Sequence, residues 1–125
     1  MRKRLKVWVA LLGLSAASVS PAATYFCVGT IDFVTVSPTG VVTVSSQSSG
    51  LATFYPCSVA STMDGVTTDI CKAMLSILIT AKATGAQVAW GFSDTIGCNR
   101  SSFDGGNWYW LADPPAVWYY GPQIQ

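Results

Sequence analysis

Hydrophobic and polar residues alternate between residues 26 and 45 of this chain. Residues 26–36 and 41–45 are rich in β-branched and aromatic residues, which favour extended strands. Residues 37–40 between them read Ser-Pro-Thr-Gly, and this combination favours a turn because proline presets φ and glycine accepts a positive φ. We therefore predict a β-hairpin made of strands one and two, with Gly29 marking a bulge or bend in strand one.

Three further strand patterns follow this hairpin. Residues 45–50 are polar and predict a loop, and residues 51–55 predict strand three. Residues 87–93 alternate strictly and predict strand four, with Val88, Trp90 and Phe92 on one face. Turn residues dominate from 94 to 115, which predicts a long loop, and residues 116–120 predict strand five.

One segment has helical rather than alternating spacing. Thr67 or Thr68 stands where an N-cap is expected, and Asp69 lies in the first turn, where the helix dipole favours negative charge. Lys82 lies in the last turn, and Gly85 supplies the C-terminal stop. These signals predict a helix of about 16 residues. Its apolar stripe contains Ile70, Met74, Ile77, Leu78 and Ala81, and Leu75 and Ile79 widen the stripe enough to pack on more than one surface.

The order of the predicted elements is β-β-β-α-β-β. One helix between strands three and four of a mainly β chain matches the five-stranded barrel called the OB-fold. A ferredoxin-like fold would need a second helix, and the sequence has no second helical pattern. We therefore predict a mainly β, OB-fold-like barrel.

A basic head and an apolar run open the chain. Residues 1–6 carry four cations, residues 7–19 are apolar, and small residues follow up to Ala23. This order is typical of a secretory signal peptide, and we predict cleavage after Ala22, which leaves a single domain at 23–125 in the periplasm or outside the cell. The apolar run is shorter than the roughly 20 residues of a membrane span. Loss of the four cations changes the formal net charge from +1 to −3.

Four cysteines lie beyond the signal, and an even number in an oxidising compartment predicts two disulfides. In the OB-fold, strand one runs antiparallel beside strand four, which would bring Cys27 close to Cys98. Cys57 and Cys71 bracket the short connection into the helix. We therefore favour the pairs Cys27–Cys98 and Cys57–Cys71 among the three pairings that four cysteines allow.

The strongest candidate for ligand binding is an aromatic stretch in the long loop. Aromatic rings stack on the C–H faces of sugars, and neighbouring Asn and Asp side chains bind hydroxyl groups. The alternative is structural, because aromatic residues also cover a barrel mouth or fill a subunit interface. The candidate residues are Asp104, Asn107, Trp108, Tyr109 and Trp110.

The residue types argue against catalysis. The chain contains no His and no Glu, so it lacks the usual general base and the commonest metal ligand. Paired cysteines leave no thiolate, and the six aspartates show no pairing like that of a glycosidase. We predict that the protein is not an enzyme and needs no metal or cofactor. The three cations left after cleavage offer no surface for nucleic acid.

A few short stretches, taken with the order of the elements, suggest a relationship to a known family. They are Tyr25-Phe-Cys27, Gly29-Thr-Ile-Asp32, the cysteine at position 57, and the passage 78–88 with its Thr-Gly turn. In these stretches the chain resembles the receptor-binding B subunits of AB5 toxins, most nearly the pertussis and subtilase cytotoxin branch. The resemblance implies rings of five subunits that bind glycans, often sialylated ones.

Together these patterns predict a secreted, non-catalytic binding protein, with a glycan-binding oligomer like the toxin B subunits as its most specific form. Its partner would be a glycan or a glycoprotein, and the chain would neither bind nucleic acid nor span a membrane. The alternative is a periplasmic or secreted module that binds or inhibits another protein, or that has a structural role.

Overall fold

The computed structural model describes residues 24–99, 109–111 and 118–125. The predicted signal peptide at 1–22 lies outside the described residues and stays a prediction. Among the described residues there are seven strands, one short 3₁₀ turn (Gln47–Ser49) and one α-helix. The elements in chain order are β1 (Tyr25–Thr30), β2 (Phe33–Val36), β3 (Val42–Ser46), the 3₁₀ turn, β4 (Ala52–Tyr55), α1 (Thr68–Thr84), β5 (Gln87–Phe92), β6 (Tyr109–Trp110) and β7 (Trp118–Ile124).

The strands form two sheets. The first sheet has the order β1-β5-β7 and is antiparallel throughout. The second has the order β2-β3-β4-β6, in which only β6 runs parallel to its neighbour. The prediction of a mainly β chain with one helix is confirmed. In the described part of the chain, the pairings give two sheets and not one closed, hydrogen-bonded barrel.

The prediction of one continuous strand at 26–36 is wrong. The segment is divided at Ile31 and Asp32 into β1 and β2, which pair in different sheets. Ile31 is buried in the core, while the Asp32 carboxylate accepts a bond of 2.7 Å from the Gln47 backbone N–H and one of 3.2 Å from the Ser45 hydroxyl. These bonds hold a corner in the backbone, which we call the Asp32 corner, and strand propensity cannot predict it.

Gly29 does not mark the predicted bulge. It lies in regular register opposite Val88, within the β1–β5 ladder. A Cβ added at Gly29 would come within 2.6 Å of the Ser48 Oγ and still closer to the backbone nitrogen of Ser49. The position needs glycine because the 3₁₀ turn crosses β1 at backbone contact distance. The segment 45–50, predicted as a loop, therefore packs directly on the first strand.

The helix begins and ends where the sequence predicts. Thr67 is the N-cap and accepts a hydrogen bond of 3.4 Å from the Ile70 backbone N–H, and Asp69 lies in the first turn. Lys82 lies in the last turn, and Gly85 closes the helix in the left-handed conformation at φ 69°. The helix has 17 residues, so the predicted length is confirmed.

The buried side of α1 differs from the predicted stripe at two positions. Met74, Leu78 and Ala81 are buried as expected, but Ile77 is only half-buried and Ile70 is 51% exposed. Cys71 takes its place in the core because its disulfide holds that side of the helix against the segment after β4. Ile79 is also exposed, at 54%, so the wider apolar arc leaves isoleucines on the surface of the described structure.

The core lies between the two sheets and the helix. Val88, Trp90 and Phe92 of β5 are all fully buried, which confirms the predicted inner face of that strand. The Trp90 ring meets Phe54 edge to face at 5.1 Å and lies 6.0 Å from Trp118. β7 runs from Trp118 to Ile124, so it continues beyond the predicted strand five, whose residues 116 and 117 lie outside the described residues.

Both favoured disulfides are present. The bond between Cys27 and Cys98 spans Cα atoms 5.4 Å apart and joins β1 to the segment after β5. The bond between Cys57 and Cys71 spans Cα atoms 5.7 Å apart and joins the segment after β4 to the helix. Because 71 residues separate the first pair and 14 the second, loop-closure entropy predicts about 4 and about 3 kcal/mol of stabilisation.

We expect that replacing Gly29 with alanine will destabilise the fold by on the order of 2–3 kcal/mol, because the new methyl group collides with backbone atoms that cannot rotate away. Gly65→Ala is the matched control, since Gly65 has a positive φ of 80° but open space around its Cβ position. That control should cost about 1 kcal/mol from backbone strain alone. Urea unfolding measures both. A smaller loss for Gly29→Ala than for Gly65→Ala would contradict the crossing of the 3₁₀ turn.

Candidate functional site

The structure places two of the five candidate binding residues. Tyr109 and Trp110 form β6, and their backbone pairs in parallel with Phe54 and Tyr55 of β4. The stretch 94–115, predicted as one loop, therefore contains a short strand. The remaining three candidates lie outside the described residues and stay predictions: Asp104, Asn107 and Trp108.

The described residues before and after the segment 100–108 are bonded to the two sheets. Cys98 is bonded to Cys27 of β1, in the first sheet. Leu111 is fully buried, and its backbone N–H donates a bond of 3.0 Å to the Tyr55 carbonyl, in the second sheet. The chain therefore leaves one sheet at Cys98 and reaches the other at β6.

A buried polar cluster fixes the turn that leads to Cys98. The Tyr25 hydroxyl donates to the Asp94 carboxylate and accepts a bond of 3.1 Å from the Gly97 backbone N–H. Asp94 also accepts a bond of 2.9 Å from the Ile96 backbone N–H, and it is only 7% exposed. A buried carboxylate is stable only where donors replace its water. These partners supply the donors, and we call the cluster the Tyr25 latch.

The latch has a structural role. It sets the path of residues 94–97 so that Cys98 reaches Cys27 in the neighbouring strand. Sequence reasoning could not find the latch, because Tyr25 and Asp94 lie 69 positions apart. The predicted strand one begins at residue 26, so Tyr25 lies outside the predicted elements.

A depression in the described surface lies between α1 and β7. We call it the helix groove. Ile70 and Ile77 line its helix side, and Tyr120, Pro122 and Ile124 line its strand side. Its volume is about 500 Å³, and no charged side chain lines it in the part of the chain that the structure describes. Sequence reasoning missed this groove because it assigned Ile70 to the core.

The helix groove leaves large apolar side chains in contact with solvent. Ile70 is 51% exposed, Tyr120 is 46% exposed and Ile124 is 38% exposed. Scattered exposed hydrophobic residues are ordinary, but a contiguous set around a concave surface marks an interaction site. The groove therefore suits an uncharged, apolar partner surface.

The charged residues of α1 add little to this surface. The Lys72 ammonium lies 3.9 Å from the Asp69 carboxylate, and both side chains are well exposed. Such an exposed pair on one helix contributes a few tenths of a kcal/mol at most, because water screens it. Within residues 24–99, 109–111 and 118–125, no three His, Cys, Asp or Glu residues come together as metal ligands would. In the same residues, no helix has both the length and the apolar character that crossing a membrane requires.

Comparison of the chain with protein-family models, with curated proteins and with solved structures gave no match.

We expect Asp94→Asn to lower the free energy of unfolding by about 1–3 kcal/mol, because a neutral amide oxygen accepts the Tyr25 and Ile96 bonds more weakly than the charged carboxylate oxygen does, and the amide nitrogen adds buried donors that need partners. Asp69→Asn is the control, since that carboxylate is exposed at the start of α1 and should change stability by less than about 1 kcal/mol. Urea unfolding of the oxidised protein compares the two. Equal losses would show that the latch does not hold the turn.

Proposed function

We propose that this chain is an exported, non-catalytic binding protein that works as an oligomer, like the glycan-binding B subunits of AB5 toxins. The observation that carries the proposal is the helix groove, an uncharged concave surface that keeps Ile70, Tyr120 and Ile124 partly in water. Covering these side chains with a second copy of the chain would remove apolar surface from water at no cost in buried charge. The export signal and the two disulfides are compatible with an extracellular location.

The proposal includes an OB-fold-like core. Its support is the way in which the two sheets are linked at both edges. On one side, β1 and β2 belong to different sheets and meet at the Asp32 corner. On the other side, β6 joins the second sheet and β7 joins the first. An OB-fold-like core would need links of this kind at both edges, and α1 follows β4 as the helix of an OB-fold follows strand three.

Several described contacts support a non-catalytic role. All four cysteines are held in disulfides, so no described thiol can act as a nucleophile. Asp94 is buried, and its carboxylate accepts hydrogen bonds within the Tyr25 latch. With neither His nor Glu in the chain, the remaining residue types suit binding better than proton transfer.

The ligand of this oligomer would be a glycan or a glycoprotein. Multivalency supports the combination, because several weak sugar sites in one assembly gain avidity without any new contact. The aromatic stretch Asp104, Asn107, Trp108, Tyr109 and Trp110 stays a candidate for the contact. The alternative is a module that binds another protein, in which case the helix groove would hold that partner and not a second copy.

We expect native mass spectrometry of the exported protein to show an oligomer, with five copies if the resemblance to toxin B subunits holds. The denatured mass should show loss of residues 1–22 and of the four hydrogen atoms that two disulfides require. Ile70→Glu should raise the dissociation constant of the oligomer by about a hundredfold or more, because assembly would bury an unpaired carboxylate.

Ile79→Glu is the matched control for this variant. Ile79 has nearly the same exposure on the same helix, at 54% against 51%, but it does not line the helix groove. The control should assemble like the unaltered protein. An unaltered protein that is monomeric at micromolar concentration would refute the oligomer and favour the protein-binding module. Equal dissociation of both variants would refute the helix groove as the contact surface.

A further inference from the structure

The outer surface of the first sheet carries a second concave surface. On β1, Cys27 and Gly29 face the core while Phe26, Val28 and Thr30 are exposed. The register places Val28 opposite Ala89 of β5. The outward positions of the central strand are therefore occupied by small residues, while larger side chains stand on the strands that flank it.

Ala89 forms the floor of this surface, which we call the outer trough. It lies between Val28 on β1 and Gln123 on β7. Ala89 is buried, although it faces away from the core, because its taller neighbours shield it. The trough has a volume of about 290 Å³.

The two ends of the outer trough differ in chemistry. At one end lies the half-exposed ring of Phe26, which the Tyr120 ring meets edge to face at 6.0 Å from outside the trough. At the other end lie the side chains of Gln123 and Gln125. The Gln125 backbone N–H donates a bond of 3.0 Å to the Gln87 carbonyl, which holds the end of the chain beside β5.

This combination of groups matches a sugar. An amide side chain offers two donors and one acceptor, and a sugar hydroxyl both donates and accepts. Aromatic and aliphatic side chains such as Phe26 and Val28 provide apolar contact for the C–H faces of a sugar ring. The volume lies just below the usual range of about 300–1,000 Å³ for drug-sized ligands, which suits one terminal sugar residue.

The charge of the outer trough restricts the class of sugar. No charged side chain lines it among the described residues. The carboxylate of a sialic acid would lose water there without gaining a cation or a charged hydrogen bond in return. A neutral sugar carries no charge, so its binding in the trough needs no desolvation of a carboxylate.

We propose that the outer trough binds a neutral sugar residue at the end of a glycan. The Phe26 ring contacts the apolar face of the sugar, and the Gln125 amide bonds its hydroxyl groups. The small Ala89 floor keeps the space open. This inference rests on the proposed function, but it assigns the sugar contact to the first sheet and makes the ligand neutral.

The test uses an array of paired oligosaccharides that end in galactose or N-acetylgalactosamine, each with and without a sialic acid cap. The exported, oxidised protein should bind the uncapped member of a pair at least as strongly as the capped one. Phe26→Ala and Gln125→Ala remove a contact, and Ala89→Leu fills the floor. Each should weaken binding about tenfold or more.

Phe33→Ala is the matched control. Phe33 is an exposed phenylalanine of the second sheet, 40% exposed against 50% for Phe26, and it lies away from the outer trough. It should leave binding unchanged. Circular dichroism and native mass spectrometry of every variant separate loss of the site from loss of the fold or of the oligomer.

Three results would overturn the proposal. Binding to sialylated members alone would show that the ligand is not neutral. Neutral binding that survives Phe26→Ala and Ala89→Leu would place the contact elsewhere, while the proposed oligomer still stands. Dissociation of the oligomer by these variants would identify the outer trough as a subunit interface. A monomer that binds neutral glycans through the trough would refute the oligomer and leave the sugar site standing.

Discussion

The corner at Ile31 and Asp32 is the constraint on which the rest of the structure depends. It turns one extended segment from the first sheet into the second, with Ile31 in the core and the Asp32 carboxylate bound to Ser45 and Gln47. The adjacent 3₁₀ turn then crosses β1 at Gly29, and the Ser48 hydroxyl accepts the Thr30 backbone N–H. The corner therefore helps to set the position of β5 and β7 relative to β3 and β4, together with the Phe54–Trp90 contact in the core.

Two further restraints fix the other parts of the small domain to this corner. The Tyr25 latch and the Cys27–Cys98 disulfide hold the segment after β5 against the start of β1. The Cys57–Cys71 disulfide holds the start of α1 against the segment after β4. A domain of roughly 100 residues buries only about two-thirds of its unfolded surface, so covalent links make up for a small core.

The uncharged surfaces of this protein follow from the same construction. β7 is an edge strand of the first sheet, and residues on its two faces line two different depressions. Ile124 lines the helix groove, and Gln123 lines the outer trough beside β5. The helix groove is apolar and suits a second copy, whereas the outer trough combines an aromatic ring with amides and suits a hydroxyl-rich ligand. The two proposed roles differ because of the hydrogen-bonding groups on each surface and not because of charge.

Local signals in the sequence determined the helix, the inner face of β5 and the need for two disulfides. Thr67, Asp69 and Gly85 act on backbone groups within one turn of themselves, so their effect is readable without a fold. The Asp32 corner and the exposure of Ile70 depend instead on which residues a position meets across space. For the same reason the helix groove and the outer trough were decided by the tertiary structure alone. Phe26 and Tyr120 lie far apart in the sequence. They become neighbours in space only because β1 and β7 both flank β5.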